Sequence, residues 1–269
     1  LERGVRVTVD NAYVLERWPQ LFRGRDIFLR VDTGVGRGHH EHVRTAGSRS
    51  KFGVPLSELR VLAGLALGAG ARIIGLQAHV GSGIFDVSSW EHTARVLLGA
   101  ARGFADLAVI DVGGGLGVPE HPDQPGVDLA RLDTLLTAER AERPQLEIWL
   151  EPGRYLVAQA GVLLARVTQL KSKGGVRFVG VGTGMNSLIR PALYGSYHEI
   201  ANLSRAEEPA TELVNVVGPI CESADVLGRD RLLPVTREGD VLVIANAGAY
   251  GRAMSSHYNL RAPAAELFI

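Results

Sequence analysis

The first 155 residues alternate between short apolar runs and longer amphipathic stretches, and this alternation restricts the fold more than any other feature. Five apolar, β-branched runs are typical of buried strands: 5–10, 26–32, 72–80, 107–114 and 146–153. Four stretches between them have helical spacing: 12–22, 56–70, 87–104 and 127–142. Strand followed by helix, repeated, predicts a parallel sheet covered by helices, as in a (β/α)₈ barrel.

The pattern changes after Arg154, where apolar runs follow one another without helices of comparable length. These runs are 155–171, 176–182, 211–218, 231–235 and 240–250. We therefore predict two domains, a β/α domain over 1–154 and a mostly antiparallel β domain over 155–269. Only five strands precede the boundary, so an eight-stranded barrel lacks three of its units.

Composition excludes several classes of protein. The chain has 269 residues, of which 46% are hydrophobic and 22% charged, and this excludes disordered and fibrous proteins. Basic and acidic residues balance at 29 each, so no basic field indicates nucleic acid or a membrane surface. The single cysteine, Cys221, favours a reducing compartment. With no apolar signal segment at residues 1–10, we expect a soluble, cytoplasmic protein.

Polar residues gather where the first five strands end, which is where a β/α barrel places its active site. The loop Gly113–Gly117 is either an anion-binding turn or a tightly packed one. Glu151 and Arg154 either face one ligand or form a salt bridge with each other. His79 is a candidate site residue or a structural histidine.

Two further clusters carry titratable groups. Cys221 and Glu222 are an acid/base pair or an inert thiol beside a surface charge. Residues 38–42 contain several histidines, but adjacent histidines cannot all point at one ion. His40 and His42 alone form an incomplete set of ligands, so we expect no metal.

Six segments occur in a characteristic order: HVGSGI (79–84), DVGGGLG (111–117), LEPGRYLV (150–157), GMNSLIRPALYGSYH (184–198), VVGPICESADVL (216–227) and NAGAYGRAMSSHYN (246–259). Together they resemble the fold-type III decarboxylases that use pyridoxal 5′-phosphate (PLP), and among these most closely the diaminopimelate decarboxylases. The segment SKFGVP (50–55) belongs to the same resemblance, which covers the chain from about residue 5.

The resemblance implies a fold in which a PLP-binding barrel precedes a β domain, with the five strands here matching the last five of the barrel. The family's Schiff-base lysine lies in the first three units, and none of Lys51, Lys171 and Lys173 takes its place. The segment 31–53 resembles the form fused behind an aspartate kinase. We therefore expect a piece of a longer polypeptide that alone binds no covalent PLP, is inactive, and is not a stable monomer because its sheet has open edges.

The resemblance also assigns roles to particular residues. It implies catalytic roles for His79, Glu151 and Cys221, with His79 stacked on the cofactor ring and Glu151 at the ring nitrogen. It implies these cofactor-binding residues: His79, Ser82, Gly113, Gly114, Gly115, Glu151, Gly153, Arg154 and Tyr250. It implies these substrate-binding residues: Arg154, Arg190, Tyr194, Glu222 and Tyr250. Because Cys221 and Glu222 reach the neighbouring subunit in the family, a homodimer with shared sites is expected.

The expected activity is decarboxylation of meso-2,6-diaminopimelate to L-lysine. Arg190 supplies a cation for the substrate's distal carboxylate, and Glu222 an anion for its distal ammonium. Two alternatives stay open: a related decarboxylase of another amino acid, and an inactive binding or regulatory module, because the Schiff-base lysine is absent.

Overall fold

The computed structural model describes residues 4–38, 45–47 and 50–269. The chain divides into two compact units, Leu1–Gly117 with Gly126–Gly153 (unit 1), and Val118–Pro125 with Arg154–Ile269 (unit 2). The division after Gly153 lies one residue from the boundary expected from the sequence. Segment 118–125, however, belongs to unit 2, which the sequence pattern did not indicate.

Unit 1 is built on a parallel sheet. Its strands are β1 (Val7–Val9), β2 (Asp26–Asp32), β3 (Arg37–Gly38), β4 (Val54–Pro55), β5 (Arg72–Gln77), β6 (Gly81–Ser82), β7 (Val109–Asp111) and β8 (Glu147–Trp149). Its helices are α1 (Tyr13–Arg17), α2 (Leu59–Gly68), α3 (Ser88–Ala101) and α4 (Leu129–Arg140). The main sheet has the order β1-β2-β5-β7-β8, with every pair parallel. The five expected strands and four expected helices are confirmed; β2 spans its whole run, and the others are shorter than theirs.

Two features of the sheet were not expected. Strand β4 pairs with β2 and adds a sixth strand, while β3 and β6 form a separate parallel pair. Within the described residues, β1 and β8 do not pair with each other, so this sheet is an open part of a barrel. The expectation of a partial rather than a closed barrel is confirmed.

Burial explains why the apolar runs form these strands. Ile27, Leu29 and Ile110 are fully buried, as the strands of a covered parallel sheet require. Trp90 on α3 is fully buried too, and its indole N–H donates to the Gly114 carbonyl oxygen at 3.2 Å. Helix α3 is thereby fixed against the glycine loop that follows β7.

Unit 2 is a mostly antiparallel sheet, as expected. Its strands are β9 (Leu163–Lys173), β10 (Val176–Val181), β11 (Ile200–Asn202), β12 (Glu212–Val217), β13 (Val226–Leu233) and β14 (Val241–Ile244), and α6 spans Arg190–Tyr194. The order is β11-β14-β9-β10-β12-β13, in which only the β10–β12 pair is parallel among the described strands. Apolar side chains from all six strands form one buried core.

Two local expectations in unit 2 were wrong. The run 155–171 was expected to be a strand throughout, but it begins as helix α5 (Gly153–Val157) and a 3₁₀ turn at Ala158–Ala160. The strand starts only after Gly161, whose backbone packs so closely on Gly248 that a Cβ atom would lie 2.6 Å from the Gly248 Cα. The run 231–235 is the end of the longer strand β13, which the polar residues before it concealed.

Among the described helices, none has both the length and the apolar character that crossing a bilayer requires.

Candidate active site

The glycine loop after β7 is held by contacts inside unit 1. Gly113 and Gly115 have φ values of 72° and 96°, in the region that favours glycine. The Gly113 N–H donates to Asp111 Oδ1 at 2.9 Å, and the Gly114 N–H donates to His79 Nδ1 at 3.1 Å. These two N–H groups therefore position the loop and His79. The role of the loop glycines in phosphate binding stays a prediction.

His79 follows β5 and is fixed in one tautomer. Because Nδ1 accepts the Gly114 hydrogen bond, the neutral imidazole carries its proton on Nε2. Burial, followed by the charge of Arg30, lowers the pKa of His79 and outweighs the opposing effect of Glu151. His79 is thus a neutral ring with a defined orientation, which suits stacking on an aromatic cofactor. Ser82, another predicted cofactor residue, lies on β6.

Glu151 follows β8, and its Oε2 accepts a hydrogen bond from Gln77 Nε2 at 3.1 Å. Nearby Asp111 is 5% exposed, and burial raises its pKa to about 6. The Gly113 N–H opposes this shift, and the negative charge of Glu151 adds to it. Both carboxylates line an open cavity of about 490 Å³ within unit 1. Asp111 therefore retains its proton to a higher pH than an ordinary aspartate does.

The residues of unit 1 fit PLP held without a covalent bond. The exposed Glu151 faces a cavity, the neutral His79 is oriented, and the buried Gln77 Oε1 has no hydrogen-bond partner among the described residues. The absence of a lysine that attaches PLP covalently stays a prediction. Lys51 lies over the Phe52 ring, and Lys171 and Lys173 are on β9 of unit 2.

Unit 2 contains a second candidate site, built around two buried arginines. The side chains of Arg154 and Arg190 are 7% and 3% exposed, and both donate to Glu120 Oε1, at 2.7 and 3.1 Å. The other oxygen, Oε2, accepts from the Tyr197 backbone N–H at 3.3 Å. Burial alone would raise the pKa of Glu120, but the two guanidinium groups outweigh it and hold the pKa below its usual value.

His198 holds Arg190 from the other side. Its Nδ1 donates to the Ala245 carbonyl oxygen at 2.7 Å, so its Nε2 is unprotonated and accepts from Arg190 Nη1 at 3.2 Å. Burial lowers the pKa of His198 to about 4, against the opposing effect of the Ala245 hydrogen bond. The imidazole is therefore neutral and adds no charge to the arginine pair.

The remaining predicted site residues of unit 2 lie in three places. Cys221 and Glu222 are exposed in the loop before β13, and Glu222 Oε2 accepts from the Tyr258 hydroxyl at 3.4 Å. Tyr194 ends helix α6, and Tyr250 is 47% exposed, with a φ of 61°. In the described part of the chain, the carboxylate paired with Arg190 is that of Glu120, not that of Glu222.

Sequence reasoning missed four residues of these sites: Gln77, Asp111, Glu120 and His198. Asp111 and His198 lie inside two of the six segments that carry the family resemblance, 111–117 and 184–198, whereas Glu120 lies in a loop without any motif. The candidate metal ligands His40 and His42 lie outside the described residues. The described part of the chain contains no group of three or more potential metal ligands.

The chain is similar to several known proteins. The family model "Pyridoxal-dependent decarboxylase, pyridoxal binding domain" matches residues 1–158. A diaminopimelate decarboxylase of Methanothermobacter thermautotrophicus is 40% identical, over 100% of this chain and 65% of its own length.

Two solved structures are also similar. One diaminopimelate decarboxylase has a TM-score of 0.89 and 35% identity over 97% of this chain and 66% of the other. The enzyme of Helicobacter pylori, complexed with L-lysine, has a TM-score of 0.84 and 30% identity over 94% and 64%.

The chain thus spans less than two thirds of each of these three proteins. The family match covers residues 1–158 of the 269, which include the strand ends of unit 1 and the Glu-Pro-Gly-Arg segment that carries Glu151 and Arg154. By this match, the chain belongs to the pyridoxal-dependent decarboxylase family.

Proposed function

We propose that the protein containing this chain decarboxylates meso-2,6-diaminopimelate to L-lysine with PLP as its cofactor. The observation that carries the proposal is the buried pair Arg154 and Arg190, which suits a substrate with a second carboxylate far from the reacting one. The names of the similar proteins, diaminopimelate decarboxylases from several organisms, support the same substrate.

Unit 1 supplies the residues for the cofactor. When bound, PLP delocalises the electron pair left at the α-carbon as carbon dioxide departs. Glu151 would hold a proton on the ring nitrogen, and the negative charge that the neighbouring Asp111 carries above its pKa of about 6 would make loss of that proton less favourable. His79, neutral and fixed by Gly114, would support the ring face. Ser82, Gly113–Gly115, Gly153, Arg154 and Tyr250 are proposed to hold the phosphate or lie beside it.

Unit 2 supplies the residues for the distal end of the substrate. Arg154 and Arg190 bind its carboxylate, assisted by Tyr194 and Tyr250, and Glu222 binds its ammonium group. Arg154 and Arg190 share the single carboxylate of Glu120, so one positive charge of the buried pair has no carboxylate of its own. Ornithine and lysine lack a distal carboxylate to pair with it, which disfavours them as substrates.

We further propose a cytoplasmic homodimer with shared active sites. The exposed Cys221 and Glu222 are accessible to a partner subunit, where Cys221 would act as a proton donor. A single cysteine suits a reducing compartment. Segment 31–53 supports fusion behind an aspartate kinase. We also propose that this chain alone is inactive, since Lys51, Lys171 and Lys173 are unsuitably placed to hold PLP.

A comparison of substrates tests the proposed function. The PLP-loaded enzyme that contains this chain is given meso-diaminopimelate, L-ornithine, L-lysine and D-alanine in turn, and carbon dioxide release is measured. We expect kcat/KM for diaminopimelate to exceed the others by at least about 100-fold, because only it pairs the buried arginines. Preferred turnover of ornithine or D-alanine would contradict the proposal.

A further inference from the structure

The carboxylate of Glu120 lies between the guanidinium groups of Arg154 and Arg190. The proposed binding of a ligand carboxylate explains the two positive charges but not the negative one. Two guanidinium groups flank one carboxylate, and the neutral His198 contributes no charge. Binding a carboxylate requires only the arginines, and the negative charge of Glu120 opposes it. A ligand that carries an ammonium beside its carboxylate would match all three groups.

The hydrogen bonds of this cluster leave one donor and one acceptor unused. The Arg154 side chain is only 7% exposed, so water does not readily reach its Nε. Within the described residues this Nε has no hydrogen-bond partner. Glu120 has about four acceptor positions. Oε1 uses two of them for the arginines, and Oε2 uses one for the long bond to Tyr197. The free donor suits a carboxylate oxygen, and the free acceptor suits an ammonium.

We propose that Glu120 is a specificity-determining residue, whose carboxylate binds the ammonium group next to the ligand carboxylate held by Arg154 and Arg190. This inference rests on the proposed function and adds a residue to it. In the free protein, Glu120 is therefore the counter-ion of the two arginines. In the complex, it favours a ligand whose distal end carries an ammonium beside the carboxylate over one whose distal end carries the carboxylate alone.

The selection follows from the charges. Glu120 repels the carboxylate of any ligand bound to the arginines. With unit charges about 5 Å apart and an effective dielectric constant of about 20, this lowers affinity by roughly tenfold or more. An ammonium on the same ligand gains a similar attraction and cancels the loss. A ligand with the carboxylate alone has no such compensation, so it binds less well than the zwitterion.

Glu120 differs in its surroundings from Glu222, the acidic residue already proposed for the ammonium. The Glu120 side chain is 20% exposed and lies between two buried cations, whereas Glu222 is exposed and contacts Tyr258. Solvent and salt screen the charge of Glu222 more strongly. The two residues therefore make separable contributions, and Glu120 is the one whose contribution should persist at high salt.

The test compares two substrates in the PLP-loaded enzyme that contains this chain. They are meso-diaminopimelate and 2-aminopimelate, which has the distal carboxylate but lacks the distal ammonium. The measured quantity is the ratio of their kcat/KM values, because any general effect of a variant on the arginines acts on both substrates. We expect E120Q to lower the preference for diaminopimelate at least about tenfold, and E120D to retain most of it.

Two further variants sharpen this test. E208Q removes a negative charge from an exposed residue of unit 2 and should leave the ratio unchanged. E222Q measures the contribution of the other acid. The proposal is overturned if E120Q leaves the ratio within about twofold of wild type, or if only E222Q changes it. Failure of the wild-type enzyme to decarboxylate diaminopimelate would instead overturn the proposed function.

A binding measurement on the unsubstituted enzyme that contains this chain, freed of PLP so that no substrate is turned over, covers the case in which E120Q does not fold. With ¹³C-labelled glutamate and ¹⁵N-labelled arginine, NMR follows the Glu120 carboxylate and the Arg154 Nε during titration with meso-diaminopimelate or pimelate. Both ligands should shift the Arg154 signal, and only diaminopimelate should shift that of Glu120. Equal shifts of Glu120 with both ligands, or no shift with diaminopimelate, would contradict the proposal independently of any activity.

Discussion

At the scale of single residues, Arg190 is held by one negatively charged neighbour and one neutral neighbour. Glu120 accepts from one end of its guanidinium group, and the neutral His198 accepts from the other, at 3.1 and 3.2 Å. Burial and the charge of Arg154 lower the pKa of Arg190, and Glu120 opposes that effect. The protonation state of each partner therefore determines how well the arginine is held.

The neutral state of His198 makes stability depend on pH. Its pKa is about 4 in the folded protein, against 6.5 ordinarily, so the unfolded chain binds this proton more readily. The contribution of His198 to stability should be fully present above about pH 6.5 and be lost as the pH falls towards 4. NMR titration of the ring should show protonation near pH 4, with Nδ1 protonated above it. A midpoint near 6.5 would contradict the buried contact with Arg190.

Asp111 should have the opposite effect. Burial raises its folded pKa to about 6, so the folded protein binds this proton more readily than the unfolded chain. Stability from this group is present below about pH 4 and is lost as the pH rises towards 6. D111N, which keeps an oxygen for the Gly113 N–H, should lack that loss. Urea unfolding of both proteins at pH 4.5, 5.5 and 6.5 checks this, and parallel curves would show the prediction to be wrong.

At the scale of elements, the glycine loop connects strands β5, β7 and β8 of unit 1 through backbone contacts. A Cβ atom on Gly114 would overlap the Glu151 carbonyl group, and one on Gly115 would overlap that of Gly81. The loop can therefore approach its neighbours only because it lacks side chains. This close approach fixes the relative positions of His79 and Glu151.

We expect G115A to destabilise the protein by about 1–3 kcal/mol, because the residue has a φ of 96° and no space for a methyl group. G99A is the matched control. Gly99 lies in helix α3, with no atom within 4 Å of its Cβ position, so alanine should stabilise the helix by up to about 1 kcal/mol. Urea denaturation measures both variants. Equal stabilities would show that the loop is not closely packed.

Apolar periodicity was sufficient to predict most elements but not their ends. Strands β2 and β5 were found because their runs are apolar throughout, as burial on both faces requires. Strand β13 was only partly found because Asp230, with a φ of 51°, and its arginine neighbours interrupt the apolar pattern. Helix α5 was missed because its apolar residues resemble the strand that follows it.

At the scale of the whole molecule, candidate residues that lie in known motifs could be named from the sequence, whereas candidates that join a site only through tertiary contacts could not. Arg190 and Glu151 lie in recognisable segments, so the sequence was enough to identify them. Glu120 lies in a loop about 34 residues before Arg154 and 70 before Arg190, and no local pattern relates it to either. Only the folding of segment 118–125 into unit 2 brings these charges together. The expected self-association of the open sheet stays a prediction.

R190A tests the proposal that the buried arginines of unit 2 bind the distal carboxylate of the substrate. In the PLP-loaded enzyme, losing a desolvated charge pair should raise KM for meso-diaminopimelate by roughly 30-fold or more, and should change PLP affinity by less than about twofold. R229A, which removes an exposed arginine from β13, is the control and should change neither value. A rise in KM of less than about threefold for R190A would contradict this binding role and show that Arg190 is only structural.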